Sequence, residues 1–343
     1  MESIRVGIIG MGIGRTNARG FARSKRSQVV ALCDLIPERM ESVAKEMPEP
    51  VRFFTDHHKM CRDPEIDAIF IGTPNQFHVP VALEAVRNGK HVMVTKPLSD
   101  SVAAARELVE AAEAAGVVNM MSLSTRFDKR TQYMGQAVQG GEFGDIYYAR
   151  ARSVRRSGIP SWSLGFVQAG GGAFRDMGVH VLDSVWWLMG MPRPIAVSGV
   201  SGAKFGPRGI GYWDYVPHPE LGPKYASDDY AGGMIRFANG AGLQVESFWA
   251  SHQPEELQIE LFGTEAGGKV FPPTIYRTVN EAPTDTTITF PTVDDVWTSM
   301  ADHFNACVLD GIPCAAPLRH GLIVQEMMEA LLESAASGRE VAL

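Results

Sequence analysis

"IRVGIIGMGIGRTNARGF", residues 4–21, is an apolar run that ends in glycines at 10, 12 and 14 and passes straight into a helical pattern. A strand that hands over to a helix through glycines lets backbone N–H groups close on a pyrophosphate at the helix N-terminus. The spacing is G-x-G-x-G, one residue short of G-x-G-x-x-G, so the loop Gly10, Met11, Gly12, Ile13 and Gly14 indicates a nucleotide only in company. That company follows at once. "VVALCD" (29–34), "AIFIGT" (68–73), "HVMVTK" (91–96) and "VVNMMS" (117–122) are short apolar runs separated by amphipathic or alanine-rich segments. Such alternation predicts an α/β, doubly wound parallel sheet with helices on both faces, which binds ligands at the carboxyl ends of its strands. Asp34 ends the second run, where a carboxylate accepts hydrogen bonds from the adenosine ribose hydroxyls. No arginine follows it immediately, the nearest being Arg39, so NAD is expected over NADP.

After about residue 125 the grammar changes. "DIYYARARSV" (145–154), "DDYAGGMIRFA" (228–238), "AGLQVESFWA" (241–250) and "LQIELFG" (257–263) read as longer strands, and the Asn-Gly of "RFANGAG" (236–242) is a strong hairpin signal. The second half is therefore expected to be α+β, with a large, mainly antiparallel open sheet. Residues 201–227, rich in Gly, Pro, Trp and Tyr, read as an irregular excursion. The expected division is a dinucleotide-binding domain, 1–125, and a substrate-binding and oligomerisation domain, 126–343, with a C-terminal helix at about 318–337 near the junction.

The chain as a whole bounds its partners. At 343 residues it is long enough for two cores. No apolar run approaches the 18 or so residues of a membrane span. The opening "MESIRVGIIG" lacks the features of a secretory signal, and the four cysteines (33, 61, 307, 314) form no C-x-x-C pair, so a cytoplasmic, reduced protein is expected. A net charge of −7 offers polyanions no general attraction, which argues against nucleic acid. His57, His58, His91, His218, His252, His303 and His320 match no metal-ligand spacing, so no metal is expected.

Two further segments carry chemistry. "GTPNQFH" (72–78) and "VTKPLSD" (94–100) come off the same sheet edge, which puts Thr73, Pro74, Asn75 and His78 at the cofactor and Lys96 at the expected nicotinamide. Proline biases its predecessor to extended geometry, which keeps Lys96 out of a helix. In "GGGAFRDMGVH" (170–180), three glycines precede Asp176 and His180, which share a face at i and i+4 of a helix starting near Ala173. Oxidation of a secondary alcohol requires a group that takes the hydroxyl proton as hydride leaves carbon, and histidine titrates in the right range. Arg126, Arg152, Arg156 and Trp162 are candidate substrate contacts, as are Trp213, Tyr215, Tyr225 and Asp228 of the excursion.

Together these segments resemble the Gfo/Idh/MocA family, named for glucose-fructose oxidoreductase and inositol dehydrogenase. "TKP" (95–97) is similar to the family's E-K-P, and 170–180 to its G-G-G-x-x-x-D-x-G-x-H. "TPNQFH" (73–78), "RFD" (126–128), "GEFGDI" (141–146), "FANGAGLQVESFW" (237–249) and "ALLESAASGREVAL" (330–343) are further landmarks. The resemblance implies an N-terminal Rossmann domain, NAD chemistry on a sugar, inositol or related polyol, Lys96, Asp176 and His180 as the catalytic group, and a homodimer or homotetramer joined through the open sheet face. Thr95 stands where the family has glutamate. Two other readings remain at this stage: an NAD-retaining, redox-neutral glycosidase or eliminase, and a non-catalytic dinucleotide sensor.

Overall fold

A computed structural model describes residues 2–292 and 295–343. The chain divides into two compact units, one of residues 1–127 and 294–323, the other of 128–293 and 324–343.

In the first unit β1 (Ile4–Ile9), α1 (Gly14–Arg23), β2 (Ser27–Cys33), α2 (Pro37–Ala44), β3 (Arg52–Phe54), α3 (His57–Cys61), β4 (Ala68–Ile71), α4 (His78–Arg87), β5 (His91–Val94), α5 (Val102–Ala114) and β6 (Asn119–Met121) alternate as expected. The six strands are all parallel, in the order β3-β2-β1-β4-β5-β6. Helices on both faces make the central strands continuous apolar runs, and every residue of β4 is buried. The strand order reverses beside β1, which opens a crevice at the carboxyl ends of β1 and β4. β3, "RFF", is a three-residue edge strand too short to announce itself in the sequence.

The second unit begins with α6 (Lys129–Gln139), β7 (Ile146–Val154), the short α7 (Leu164–Val167) and α8 (Val179–Leu188). Then come β8 (Pro194–Gly202), β9 (Tyr230–Phe237), β10 (Gly242–Phe248), β11 (Glu256–Gly263), β12 (Gly267–Lys269), β13 (Thr274–Val279) and β14 (Ala282–Thr287). α9 (Val296–Asp310) packs on α1 in the first unit, α10 (Leu318–Ser337) runs from one group of residues into the other, and β15 (Val341–Ala342) pairs with β8. The nine strands run β14-β13-β12-β11-β7-β10-β9-β8-β15, antiparallel except for β10 with β7. The Asn239–Gly240 turn closes the β9–β10 hairpin.

One face of this sheet is apolar. Ala149, Ala151, Leu243, Val245, Ile259 and Leu261 are fully buried on it, beneath α8. The pleat sends the alternate residues to the other face, where Arg150 and Arg152 pair with Glu260.

Candidate active site

Within the first unit, the carboxyl ends of β1, β2, β4 and β5 lie along one sheet edge, and the segments expected at a cofactor leave from them. The Gly10 N–H donates to Cys33 O (2.8 Å), Gly72 to Ile9 O (2.8 Å) and Thr95 to Ile71 O (3.0 Å), which stitches the loops side by side. Gly10 has φ of +86°, and a Cβ there would stand 2.5 Å from the Gly72 carbonyl oxygen. Glycine alone fits both demands.

Gly12 and Ile13 are exposed, and α1 starts at Gly14 without a side-chain cap, the condition of a helix end that can accept an anion. Met11 buries its side chain and donates its N–H to Asp34 Oδ2 at 2.8 Å, while Asp34 Oδ1 accepts from the Ile36 N–H at 3.0 Å. Asp34 thus ties down the glycine loop, and its oxygens keep lone pairs for ribose hydroxyls. The Thr73 Oγ1 is buried with no hydrogen-bond partner among the described residues. An orphan hydroxyl beside this crevice, together with the open helix end, is what a dinucleotide would complete. Exposed Pro74 and half-buried Asn75 open the short 3₁₀ turn that follows.

His78 departs from expectation. It is fully buried, and its ring nitrogens lie 2.8 Å from Pro97 O and 2.6 Å from Thr73 O. Burial lowers its pKa against the pull of those carbonyls. It braces the Thr73 loop against the Lys96–Pro97 loop and cannot itself touch a cofactor. Lys96 is half-buried just past β5, ahead of a cis Pro97, and Thr95 is buried beside it.

Within the second unit, the triple glycine serves its own fold. Gly172 has φ of +115°, and a Cβ on it would fall 2.0 Å from Asp228 Oδ1. The Asp228 carbonyl accepts from the Ala173 N–H (3.0 Å) and its carboxylate from the Phe174 N–H (2.9 Å). The space beside Gly172 is taken by the chain's own carboxylate. Burial pushes the Asp228 carboxyl up to about 6, against the Phe174 N–H and the attraction of Arg175.

The helix expected from Ala173 begins instead as a π-helical turn, Phe174–Gly178, before α8 takes over at Val179. Such widened turns recur at functional sites because they re-aim a side chain. Asp176 Oδ2 accepts from the Trp249 indole Nε1 at 3.0 Å. Arg155 also attracts Asp176, although burial lowers the pKa of that guanidinium. His180, half-buried in the first turn of α8, has its carbonyl bonded by Ser184 Oγ at 2.8 Å.

The expected sugar contacts fare unevenly. Arg126 is fully buried in the first unit, bonded to Ala315 O (2.7 Å) and His320 Nδ1 (3.1 Å), so it supports the fold and reaches no substrate. Arg152 lies on the sheet face opposite the π-helical turn, held by Glu256 (2.9 Å) and Glu260 (3.2 Å). Strand parity decides this: Ser153 and Ser247 face Met177 and Ala173, so their neighbours face away. Arg156 is exposed, and half-buried Arg155 is the arginine whose charge interacts with Asp176. Continuing the inward positions 149, 151 and 153 to 155 would have found it. Trp162 is exposed and meets Phe166 edge-on at 6.0 Å.

Among the described residues, two groups of side chains of a kind that can ligate a metal have those atoms within 4.8 Å of one another: His303 with Cys307 and Cys314, and Asp56 with His57 and His58. In the first, His303 Nε2 accepts from the Ala315 N–H at 2.8 Å; in the second, Asp56 caps α3 through the His58 N–H at 2.9 Å.

A family model described as an oxidoreductase family with an NAD-binding Rossmann fold matches residues 4–123, and the Gfo/Idh/MocA C-terminal domain matches 131–268. The chain belongs to the Gfo/Idh/MocA family. It is an NAD-binding oxidoreductase. The D-glucoside 3-dehydrogenase of Escherichia coli K12 is 30% identical over 99% of this chain and 97% of its own. The scyllo-inositol 2-dehydrogenase (NAD(+)) of Bacillus subtilis is 27% identical over 79% and 74%. The NAD binding oxidoreductase of Klebsiella pneumoniae, a solved structure, has the same fold, with a TM-score of 0.85, 21% identity and 99% coverage of both chains. Among the described residues no helix is long and apolar enough to cross a membrane.

Proposed function

We propose that the protein oxidises a ring secondary hydroxyl of a sugar, inositol or related polyol, with a glycoside favoured over a free polyol. His180 takes the hydroxyl proton, Lys96 orients the substrate oxygen and steadies its developing negative charge, and Asp176 positions the imidazole and binds a neighbouring hydroxyl. Bound NAD supplies the hydride acceptor. The loop Gly10–Gly14, Asp34 and Thr73 would hold it.

The observation that carries this reading is Asp176, fixed by the Trp249 indole in a π-helical turn that leads directly to His180. A turn of this kind, next to a half-buried arginine, prepares a carboxylate for polar recognition rather than for packing. Support for a glycoside comes from the relative of 30% identity, a D-glucoside 3-dehydrogenase that matches along nearly its whole length. Assembly into a dimer or tetramer through the open face of the nine-stranded sheet belongs to the same reading.

The test is NADH formation with NAD and a panel of cyclic polyols, free hexoses and glycosides. Accumulation of NADH with one class supports a dehydrogenase. Release of aglycone without net NADH would establish the redox-neutral alternative instead.

A further inference from the structure

The residues around Asp176 continue outward into aromatic surface. Arg155, whose charge is felt by Asp176, lies under the Trp213 ring, with its guanidinium carbon 4.6 Å from the centroid. Trp213 is nevertheless 50% exposed, Trp162 65% and Tyr215 72%, and Tyr215 holds a positive φ of 59° to stand there. Large aromatic rings left exposed on one surface, one of them on strained backbone, mark a surface that binds something.

These rings are anchored. The Trp213 N–H donates to Ile159 O at 3.0 Å, and Ile159 bridges Tyr212. Ser161 Oγ donates to Asp214 Oδ2 at 3.1 Å, which ties the residue before Trp162 to the residue after Trp213. Asp214 is held in turn by His218 at 2.8 Å, and His218 packs on buried Tyr212. Trp162 leans on Phe166, which packs against the apolar cluster of Ile159, Val167, Tyr212 and Trp249. A continuous set of contacts therefore runs from Asp176 through the Trp249 indole into the cluster of Ile159 and Tyr212, and from that cluster out to Trp213 and, by way of Phe166, to Trp162.

We infer that Trp213 and Trp162 form a platform for the second ring of a disaccharide-type glycoside, so that one pyranose is oxidised over Asp176 and His180 while its neighbour stacks outside. Rigid indole faces suit the C–H face of a pyranose, and Asp214 and Ser161, bonded to each other between the two rings' segments, supply partners for its hydroxyls. The continuity of the platform with Asp176 selects a substrate over a protein partner. The inference rests on the proposed oxidation of a ring hydroxyl.

Its test compares kcat/KM for a glucose disaccharide with that for methyl glucoside in wild type, Trp213→Ala, Trp162→Ala and Trp213→Phe. The disaccharide-to-methyl-glucoside ratio is expected to fall about tenfold in each alanine variant and to recover in Trp213→Phe, in line with the strength of ring stacking. An unchanged ratio overturns the platform. So does a change of oligomeric mass in the alanine variants with unaltered ratios, which would make this an interface between copies. If wild type oxidises neither sugar, the proposed function is decided on the wider panel, and calorimetric binding of the disaccharide, present in wild type and lost in the alanine variants, decides the platform by itself.

Discussion

Asp176 and His180 sit one turn apart, yet a different neighbour fixes each. His180 belongs to the start of α8, whereas Asp176 depends on an indole from 73 residues later in the chain. Trp249→Phe removes that donor and keeps a buried ring. It is expected to lower kcat about 10- to 100-fold while cooperative unfolding persists, because hydrogen bonds to charged groups contribute about 1.5–3 kcal/mol. Steady-state kinetics beside a thermal melt checks this, and equal loss of fold and activity would make Trp249 a packing residue only. His180→Ala is expected to lose roughly 10² to 10⁴-fold in oxidation. The wild-type rate should rise with pH through the range where imidazole ordinarily titrates, and the variant should lose that rise. The spacing of Asp176 and His180, which made them candidates, is legible in the sequence because it is local. Trp249 and Arg155 are not, because one partner comes from another strand and the other needs the parity of β7. His78 misled for a related reason: its motif lies at the cofactor loops, but the ring turns inward to brace them.

The segment from Gly170 to Gly178 is the element on which the chemistry proposed for the second unit turns. Gly172→Ala combines a φ of +115° with a Cβ driven into Asp228, so a loss on the order of 3 kcal/mol or more is expected by chemical denaturation. The Asp228 carboxyl adds a pH signature. Its folded pKa of about 6 lies above the roughly 3.9 of an unfolded chain, so the folded state binds more protons between those values. Its contribution to stability is therefore greatest below about pH 4 and declines as pH rises through about 6. Asp228→Asn keeps an acceptor for the Phe174 N–H and should flatten this slope; a slope equal to wild type would contradict the assignment. The glycine run announced a special backbone here, but its cause was hidden, since Asp228 lies beyond an irregular excursion. The π-helical turn was hidden too, because it shares the apolar pattern of an ordinary helix.

At the scale of the molecule, the alternation of apolar runs in residues 4–122 suffices for the parallel sheet except its edge strand β3, since the central strands there are buried on both faces and bounded by glycine or charge. The second sheet was legible only in its middle. β8 is rich in glycine and serine, and β14 is exposed throughout, so neither shows the alternation that betrays β7. Nothing local in α9 announces its packing on α1, at the opposite end of the chain. The role proposed for Asp34 in cofactor selectivity predicts that wild type binds NAD more tightly than NADP by calorimetry, and that Asp34→Ser with Leu35→Arg shifts preference toward NADP. Comparable wild-type affinity for both would contradict its role. The most direct measurement of the proposed chemistry is transfer of label. A glycoside or inositol deuterated at the oxidised ring carbon, incubated with the protein and NAD, should yield deuterium on the nicotinamide ring with one ketone formed per NADH. Turnover of that substrate with the label still on its carbon, or washed into solvent, would contradict direct hydride transfer.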